Sequence, residues 1–152
     1  MSDLDDIQNH RARGCQLLED RRYEDWTNTF SPDGVFERLP TPTQIDQERG
    51  EFIRHVGRAE IMKYILGGEL KENPELNRIF NLTNTIIEVT GDTAKATSDV
   101  VMMSQVGAGP WTSRVGRYTD DLVRQANSSW LIQKRSLWWR QGSRMSDVRP
   151  HL

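Results

Sequence analysis

The sequence predicts an α+β fold in which a few helices pack against one curved antiparallel sheet. Helical patterns occupy the first part of the chain, whereas the part after Pro74 reads as four consecutive strands. Residues 93–106 give the clearest strand signal, because small or apolar residues alternate with Thr, Lys and Asp. Helices and strands that are segregated along a chain are typical of α+β folds. Long strands with one apolar face, wrapped around helices, would leave a tapering interior cavity.

Three helices are predicted in the N-terminal half. A capping-box pattern begins the first helix at Ser2, and no proline interrupts the chain from there to about residue 20. A second, short helix is predicted over residues 23–30. The third covers residues 57–66 and ends at Gly67-Gly68, because glycine commonly follows the last helical residue.

Proline and glycine bound the predicted strands. Residues 31–34, Ser-Pro-Asp-Gly, are predicted to form a turn. The loop of residues 40–56 can hold one short strand at residues 51–55. The remaining strands are predicted over residues 35–39, 79–89, 93–106, 111–124 and 130–140.

Length and composition limit the possible functions. The 152 residues and 17.6 kDa fit one domain, predicted over residues 1–141 with a polar tail at 142–152. A net charge of −2 gives no basic surface for nucleic acid or for an anionic membrane. No apolar run approaches the ~20 residues that cross a bilayer, and the acidic N-terminal segment does not resemble a secretory leader. A cytoplasmic protein is therefore predicted.

The sequence predicts no metal and no cofactor. Cys15 is the only cysteine, which excludes an internal disulfide and a cysteine-based zinc site. The histidines are His10, His55 and His151, and no two of them have ligand spacing on one strand or helix. Gly107-Ala-Gly109 is followed by proline rather than by a helix, so it does not fit a phosphate-binding loop.

Several segments between residues 4 and 140 together resemble a known family. They are Leu17-Leu-Glu-Asp-Arg-Arg-Tyr-Glu-Asp-Trp26, Phe30-Ser-Pro-Asp33, Gly57-Arg-Ala-Glu-Ile61, Gly91-Asp92-Thr-Ala94, Gly116-Arg-Tyr-Thr-Asp120 and Trp130-Leu-Ile132. This series resembles SnoaL-like proteins and also the small subunit of aromatic-ring-hydroxylating dioxygenases. The resemblance implies the cone-shaped fold of the nuclear transport factor 2-like superfamily, with a ligand pocket inside the cone and dimerisation through the sheet.

The resemblance leaves two functions open, because this fold carries many activities. The leading hypothesis is a cofactor-independent lyase, isomerase or cyclase that moves a proton on a small apolar cyclic metabolite in an enclosed pocket. This enzyme would be a homodimer. The alternative is a non-catalytic ligand-binding or structural subunit that resembles the dioxygenase small subunit.

Asp20 is the predicted catalytic residue. It lies three residues after Leu17, beside the predicted buried side of the first helix. The resemblance also places it where dehydratases of this superfamily hold an acid in the pocket. A carboxylate in an apolar cavity has a raised pKa, which suits proton transfer near neutral pH. The alternative is an exposed acid at the end of the first helix that pairs with Arg21 or Arg22.

The residues that accompany such an acid are missing. Phe80 or Asn81 stands where the resemblance places a histidine, and Cys15 stands where it places a tyrosine. Asn81, Asn84 and Tyr118 are instead candidates to polarise a ligand oxygen. The alternative for Asn84 is a structural hydrogen bond across the sheet, and for Tyr118 it is packing against the first helix.

Other side chains are predicted to shape the cavity or to lie opposite it. His55 can reach the cavity mouth, and Arg38 can bind an anionic or carbonyl group. The alternative for Arg38, which is favoured, is an exposed arginine at the end of its strand. Asp99 lies opposite the apolar face of its strand and should point outward. Trp138 and Trp139 are adjacent in a strand, so one should fill the cone and the other should need cover, for example from a partner subunit. The predicted ligand-contacting residues are Tyr23, Trp26, Phe36, Arg38, His55, Phe80, Met102 and Trp138.

Overall fold

The computed structural model describes residues 2–40 and 52–140, apart from the side chain of Glu69. The predicted tail at 142–152 and most of the predicted 40–56 loop lie outside the described residues. The helices are α1 (Asp3–Glu19), α2 (Tyr23–Thr27), α3 (Arg58–Leu66) and α4 (Gly68–Glu72). The strands are β1 (Phe30–Arg38), β2 (Ile53–Val56), β3 (Leu76–Thr90), β4 (Thr93–Val106), β5 (Thr112–Arg124) and β6 (Trp130–Trp139).

The strands form one curved, unclosed sheet with the order β2-β1-β6-β5-β4-β3. Strands β3 to β6 follow one another as an antiparallel meander, and β1 adds to β6 in parallel. Strand β2 pairs antiparallel with β1 at the edge of the sheet. The predicted α+β class is confirmed, and so is the curved sheet with helices before it.

The hydrophobic core lies between the concave face of the sheet and the helices. In β4 the buried side chains alternate with partly or fully exposed ones, as the sequence pattern predicted. Helix α2 inserts Trp26, which packs edge-to-face on Phe30 at a centroid distance of 5.4 Å. Each ring that is removed from water in this way contributes about 1.5–3 kcal/mol or more to folding. None of the described helices combines the length and the apolar character that a bilayer span needs.

Both ends of α1 are fixed by specific hydrogen bonds. At its start, the Ser2 hydroxyl accepts the Asp5 N–H at 3.2 Å, as the capping box predicted. Beyond its end, Arg21 has a left-handed backbone (φ 61°). The Arg21 guanidinium donates to the carbonyls of Pro74 and Leu76 at 2.7 and 2.6 Å. This residue therefore ties the end of α1 to the start of β3.

Two local predictions are wrong. Helix α2 ends at Thr27 rather than at residue 30, because Phe30 already pairs with Ile132 on β6. The turn predicted at residues 31–34 is instead an irregularity inside β1, where the register against β6 shifts between Phe30 and Val35. Pairing between distant strands therefore overrides the local turn signal of Pro and Gly.

Candidate functional site

A cavity of about 290 Å³ lies between the concave face of the sheet and the helices. This volume is near the lower end of the range for small-molecule sites, roughly 300–1,000 Å³. Its apolar wall includes Leu18, Trp26, Phe36, Ile65, Phe80, Met102, Leu137 and Trp139. Its polar residues are Arg38, Arg78, Arg114, Tyr64 and Tyr118. No carboxylate or imidazole lines the cavity within the described part of the chain.

Strand alternation brings these side chains to one face. Residues two positions apart on a strand face the same way, and four strands contribute such a pair to the wall. The pairs are Phe36 and Arg38 on β1, Arg78 and Phe80 on β3, Arg114 and Tyr118 on β5 with Gly116 between them, and Leu137 and Trp139 on β6. The cavity is therefore a product of the sheet's curvature and register.

Six of the residues predicted for the site surround this cavity. They are Trp26, Phe36, Arg38, Phe80, Met102 and Tyr118. Their roles toward a ligand stay predictions.

Asp20 does not reach the cavity, so its predicted buried position is wrong. Its side chain is exposed, and its backbone N–H closes the last turn of α1 on the Gln16 carbonyl at 2.9 Å. Leu18 is buried, and a residue two positions further along a helix lies about 200° around the axis. Arg22 pairs with Asp25 and not with Asp20.

The two asparagines also lie outside the cavity. Asn81 is exposed and borders a separate groove between α1 and β3. Asn84 is exposed with φ 51°, at the point where the β3–β4 register shifts, and its amide donates to Asp99 at 2.9 Å. The contact to Asp99 is the structural hydrogen bond across the sheet that the alternative predicted. Asp99 also accepts from Arg117 at 3.0 Å on the outer face, as its strand position indicated.

The two adjacent tryptophans face opposite ways, but the sequence-based choice between them was wrong. Trp139 lines the cavity, whereas Trp138 lies on the outer face with its ring beneath Arg117 and Arg140. Trp139 stands opposite Gly116, where an added Cβ would come within 2.7 Å of the indole. The missing side chain of this glycine makes room for the Trp139 ring.

Tyr23 and His55 flank the site without lining the cavity. Tyr23 packs against the edge of the core. The ring of His55 stacks on Tyr64 with a centroid distance of 4.5 Å, and Tyr64 lines the cavity. The Nε2 atom of His55 is buried and has no hydrogen-bond partner among the described residues.

A buried ionic cluster lies beside the cavity. Asp120 accepts from Arg11 Nε and from Arg135 Nε, both at 2.7 Å, and none of the three side chains is more than 2% exposed. Burial opposes the charge of Asp120, but Arg135 and Arg11 outweigh this effect and hold the pKa of the carboxyl below its usual value. Burial likewise opposes the charge of Arg135, yet Asp120 raises the pKa of its guanidinium. The Asp120 carboxylate and the Arg135 guanidinium therefore stay charged in the fold.

The cluster holds Tyr118 in place. The Arg135 guanidinium lies 4.3 Å from the centre of the Tyr118 ring, on the face of that ring. Tyr118 is 3% exposed, and burial raises the pKa of its phenol. At neutral pH the phenol therefore keeps its proton and can donate a hydrogen bond to a group in the cavity.

Sequence reasoning missed Arg78, Arg114 and Tyr64. Strand parity could have identified the two arginines, because Arg78 lies two residues before Phe80 and Arg114 lies four residues before Tyr118. Within the described ranges, no cluster of three His, Cys, Asp or Glu side chains could hold a metal ion. Cys15 is buried, and that burial raises the pKa of its thiol.

Comparisons with known proteins agree with this architecture. A search for related proteins of curated function found no match. Among solved structures, an NTF2-like protein with a cystatin-like fold from Novosphingobium aromaticivorans has a TM-score of 0.75 and 22% identity, over 93% of this chain and 84% of that one. A protein from Catenulispora acidiphila, solved in complex with S-DNPA, has a TM-score of 0.72 and 23% identity, over 90% and 92%.

A third solved structure is described as the β subunit of an aromatic-ring-hydroxylating dioxygenase from Novosphingobium aromaticivorans. Its TM-score is 0.72 at 16% identity, over 89% of this chain and 87% of that one. At these identities the three structures show a shared fold. The sequence model of the SnoaL-like domain matches residues 1–136. The chain thus belongs to the SnoaL-like family.

Proposed function

We propose that the protein binds a small, largely apolar cyclic molecule in the cone cavity and catalyses a proton transfer on it without a cofactor. The reaction would be a lyase, isomerase or cyclase step. The observation that carries this proposal is the cavity, which aromatic and aliphatic side chains surround and which arginine and tyrosine donors line. The bound small molecule in a protein of the same fold supports it.

The donors in the wall act on negative charge that develops on a ligand oxygen. When a C–H bond next to a carbonyl breaks, the proton leaves and the electron pair moves onto the carbonyl oxygen as an enolate. Tyr118 stays protonated because burial raises the pKa of its phenol, so it acts as a hydrogen-bond donor to this oxygen. Arg114, which stacks on Trp139 at 4.7 Å, adds positive charge to the same wall.

The proposed proton acceptor is His55 instead of Asp20. His55 does not line the cavity, but its ring stacks on Tyr64, which does, and its buried Nε2 has no partner among the described residues. A shift of Tyr64 on ligand binding would bring this nitrogen within reach of the ligand. Asp20 is exposed and plays no part in this proposal.

Native mass spectrometry of the freshly purified protein tests the proposal, since it reports any small molecule that the protein retains. With that molecule as substrate, Tyr118→Phe should lower kcat by about 10²–10³-fold, the loss typical of one oxyanion donor. His55→Gln should also lower kcat, whereas Asp20→Asn should leave it unchanged. Full activity in both Tyr118→Phe and His55→Gln would contradict the assignment, and loss of activity in Asp20→Asn would restore the original hypothesis.

A non-catalytic binding subunit is the second candidate. It is favoured because the described cavity wall contains no carboxylate or imidazole, and because a dioxygenase β subunit shares the fold. Co-purification of a larger iron-containing protein from native cells, together with a retained molecule that is never converted, would support this candidate over the enzyme.

We also propose a homodimer that forms through the outer face of the sheet. Ile79 and Met103 are 42% and 37% exposed, and they lie side by side on β3 and β4. Trp138 lies on the same outer face of β6. Native mass spectrometry should report the mass of two subunits, and Met103→Lys should reduce it to the mass of one subunit.

A further inference from the structure

Two of the three cavity arginines, Arg38 and Arg78, differ in their pairing from the buried and half-buried arginines elsewhere in the described residues. Outside the cavity, buried and half-buried arginines donate to acceptors within the fold. Arg11 and Arg135 bind Asp120, Arg117 binds Asp99, and Arg124 binds Asp3. Arg58 donates to the Phe30 carbonyl at 2.6 Å. The fold therefore supplies at least one acceptor to each of these guanidinium groups, although the Nη2 atom of Arg11 has no partner of its own among the described residues.

Two arginines in the cavity wall have no such acceptor. Within the described residues, neither the Arg38 nor the Arg78 side chain makes a hydrogen bond or an ion pair. The Nη2 atom of Arg78 is in addition buried, and it has no hydrogen-bond partner among the described residues. The Arg78 guanidinium lies 5.9 Å from the centroid of the Phe80 ring.

An unpaired buried donor is unfavourable, and an unpaired buried charge more so. The unfavourable term disappears when an acceptor enters the cavity and takes the hydrogen bond. A guanidinium presents parallel N–H groups in one plane, which match the two oxygens of a carboxylate. The wall around it is aromatic and aliphatic, with Phe36, Phe80 and Trp139 among its rings.

We infer that the ligand is an aromatic or other flat cyclic acid, whose carboxylate binds Arg78 and Arg38 and whose ring system packs against the aromatic wall. This inference rests on the proposed function, because it specifies the class of molecule that the same cavity takes. Arg78 and Arg38 are then residues that determine specificity by binding the acid group.

The inference is tested by comparing naphthoic acid with its methyl ester as probes. Both have the same bicyclic ring, and only the acid is charged at pH 7. Binding to the full chain is followed by tryptophan fluorescence, since Trp26 and Trp139 line the cavity. The acid should bind at least about tenfold more tightly than the ester, since a hydrogen bond to a charged group contributes roughly 1.5–3 kcal/mol.

Arg78→Met and Arg38→Met should each remove most of the preference for the acid, because each should weaken the binding of the acid and leave the binding of the ester unchanged. Arg13→Met is the matched control, because Arg13 is exposed on α1 and does not line the cavity. Arg13→Met changes the net charge of the protein by the same amount as Arg78→Met, and it should leave the affinities for the acid and for the ester unchanged. If Arg13→Met weakens the acid as much as Arg78→Met does, the effect is general electrostatics and the inference is overturned.

The remaining outcomes separate the two proposals. Equal binding of acid and ester, unaffected by Arg78→Met, overturns the carboxylate inference and leaves the small-molecule cavity standing. Failure of both probes to bind at about 1 mM counts against the cavity as a ligand site and so against the proposed function. Tighter binding of naphthyl phosphate than of the acid would replace the carboxylate with a phosphate ester and overturn the inference.

Discussion

Two groups of arginines lie inside the same cone, and the fold supplies a carboxylate to only one of them. Arg11 and Arg135 enclose Asp120, whereas Arg38 and Arg78 line the cavity with no acceptor among the described residues. Strand β5 contributes to both regions, with Asp120 in one and Tyr118 in the other. The difference separates a polar group that stabilises the fold from polar groups that are available to a ligand.

The two regions should respond in opposite ways to mutation. Removing one partner from a buried ionic cluster leaves an uncompensated charge in a dry environment, which is strongly destabilising. Removing a charge that has no partner takes away an unfavourable term and leaves stability unchanged or higher. Stability measurements on matched variants therefore distinguish a structural arginine from a ligand-binding one.

The largest effect is expected for Asp120→Ala, which leaves two buried guanidinium groups without their carboxylate. The free energy of unfolding should fall by about 3–5 kcal/mol, a large part of the total stability of a typical domain. Urea unfolding followed by circular dichroism measures this change. Asp121→Ala is the control, because Asp121 is 47% exposed and lies 3.9 Å from Lys95. Equal effects of the two substitutions would show that the cluster is not structural.

Lowering the pH should weaken the same cluster in the wild-type protein. The pKa of Asp120 in the fold is below its reference value of 3.8. Asp120 thus contributes stability above that value, and this contribution is lost as the pH falls through the folded pKa. His10 adds an earlier decline below its reference value of 6.5, because burial lowers the pKa of its imidazole.

Unfolding free energies between pH 7 and pH 3 should therefore fall in two stages. A variant that combines Asp3→Asn and Asp99→Asn is the control, since these two carboxyls also have lowered pKa values but lie at the surface. It should keep most of the acid-induced decline. A profile that becomes flat in this variant would assign the decline to the surface pairs instead.

Strand alternation explains how much of the site could be predicted from the sequence. The pattern of β4 identified its concave face, and the outward position of Asp99 followed from it. The choice between Trp138 and Trp139 required the β5–β6 register, which sets Trp139 opposite Gly116 and which no local pattern reveals. Asp20 was misplaced because its assignment rested on the helix phase of Leu17, three residues earlier, and the family resemblance agreed with it. Leu17 is only half-buried, and Leu18 is the residue of this turn that faces the core.

The ionic cluster was not predictable from the sequence. Its members come from α1, β5 and β6, and Arg11 and Asp120 are 109 residues apart. Charged residues are rarely buried unless they are paired, so the pattern of α1 gave no reason to place Arg11 in the core. Long-range pairing brought these residues together, and it likewise replaced the turn predicted at residues 31–34 with part of β1.

Arg135→Met and Arg78→Met give the direct comparison of the two regions, since the same chemical change is made in each. Loss of Arg135 leaves Asp120 with Arg11 alone and should lower the unfolding free energy by about 1–3 kcal/mol. Loss of Arg78 should change it by less than about 1 kcal/mol, and in the stabilising direction. Differential scanning calorimetry of the two variants gives the ranking. An Arg78→Met variant that is destabilised as much as Arg135→Met would show that Arg78 is structural.

The smallest effect is expected for Asp99→Asn, which weakens an arginine pair of the same kind on the outer face. The side chains of Arg117 and Asp99 are 40% and 23% exposed, so water and salt screen their attraction. The free energy of unfolding should fall by less than about 1 kcal/mol, the usual range for surface pairs. The difference from wild type should shrink further in 0.5–1 M sodium chloride, roughly where the screening length nears 3 Å. A loss as large as that of Asp120→Ala would show that an exposed ion pair stabilises the fold as much as the buried cluster does.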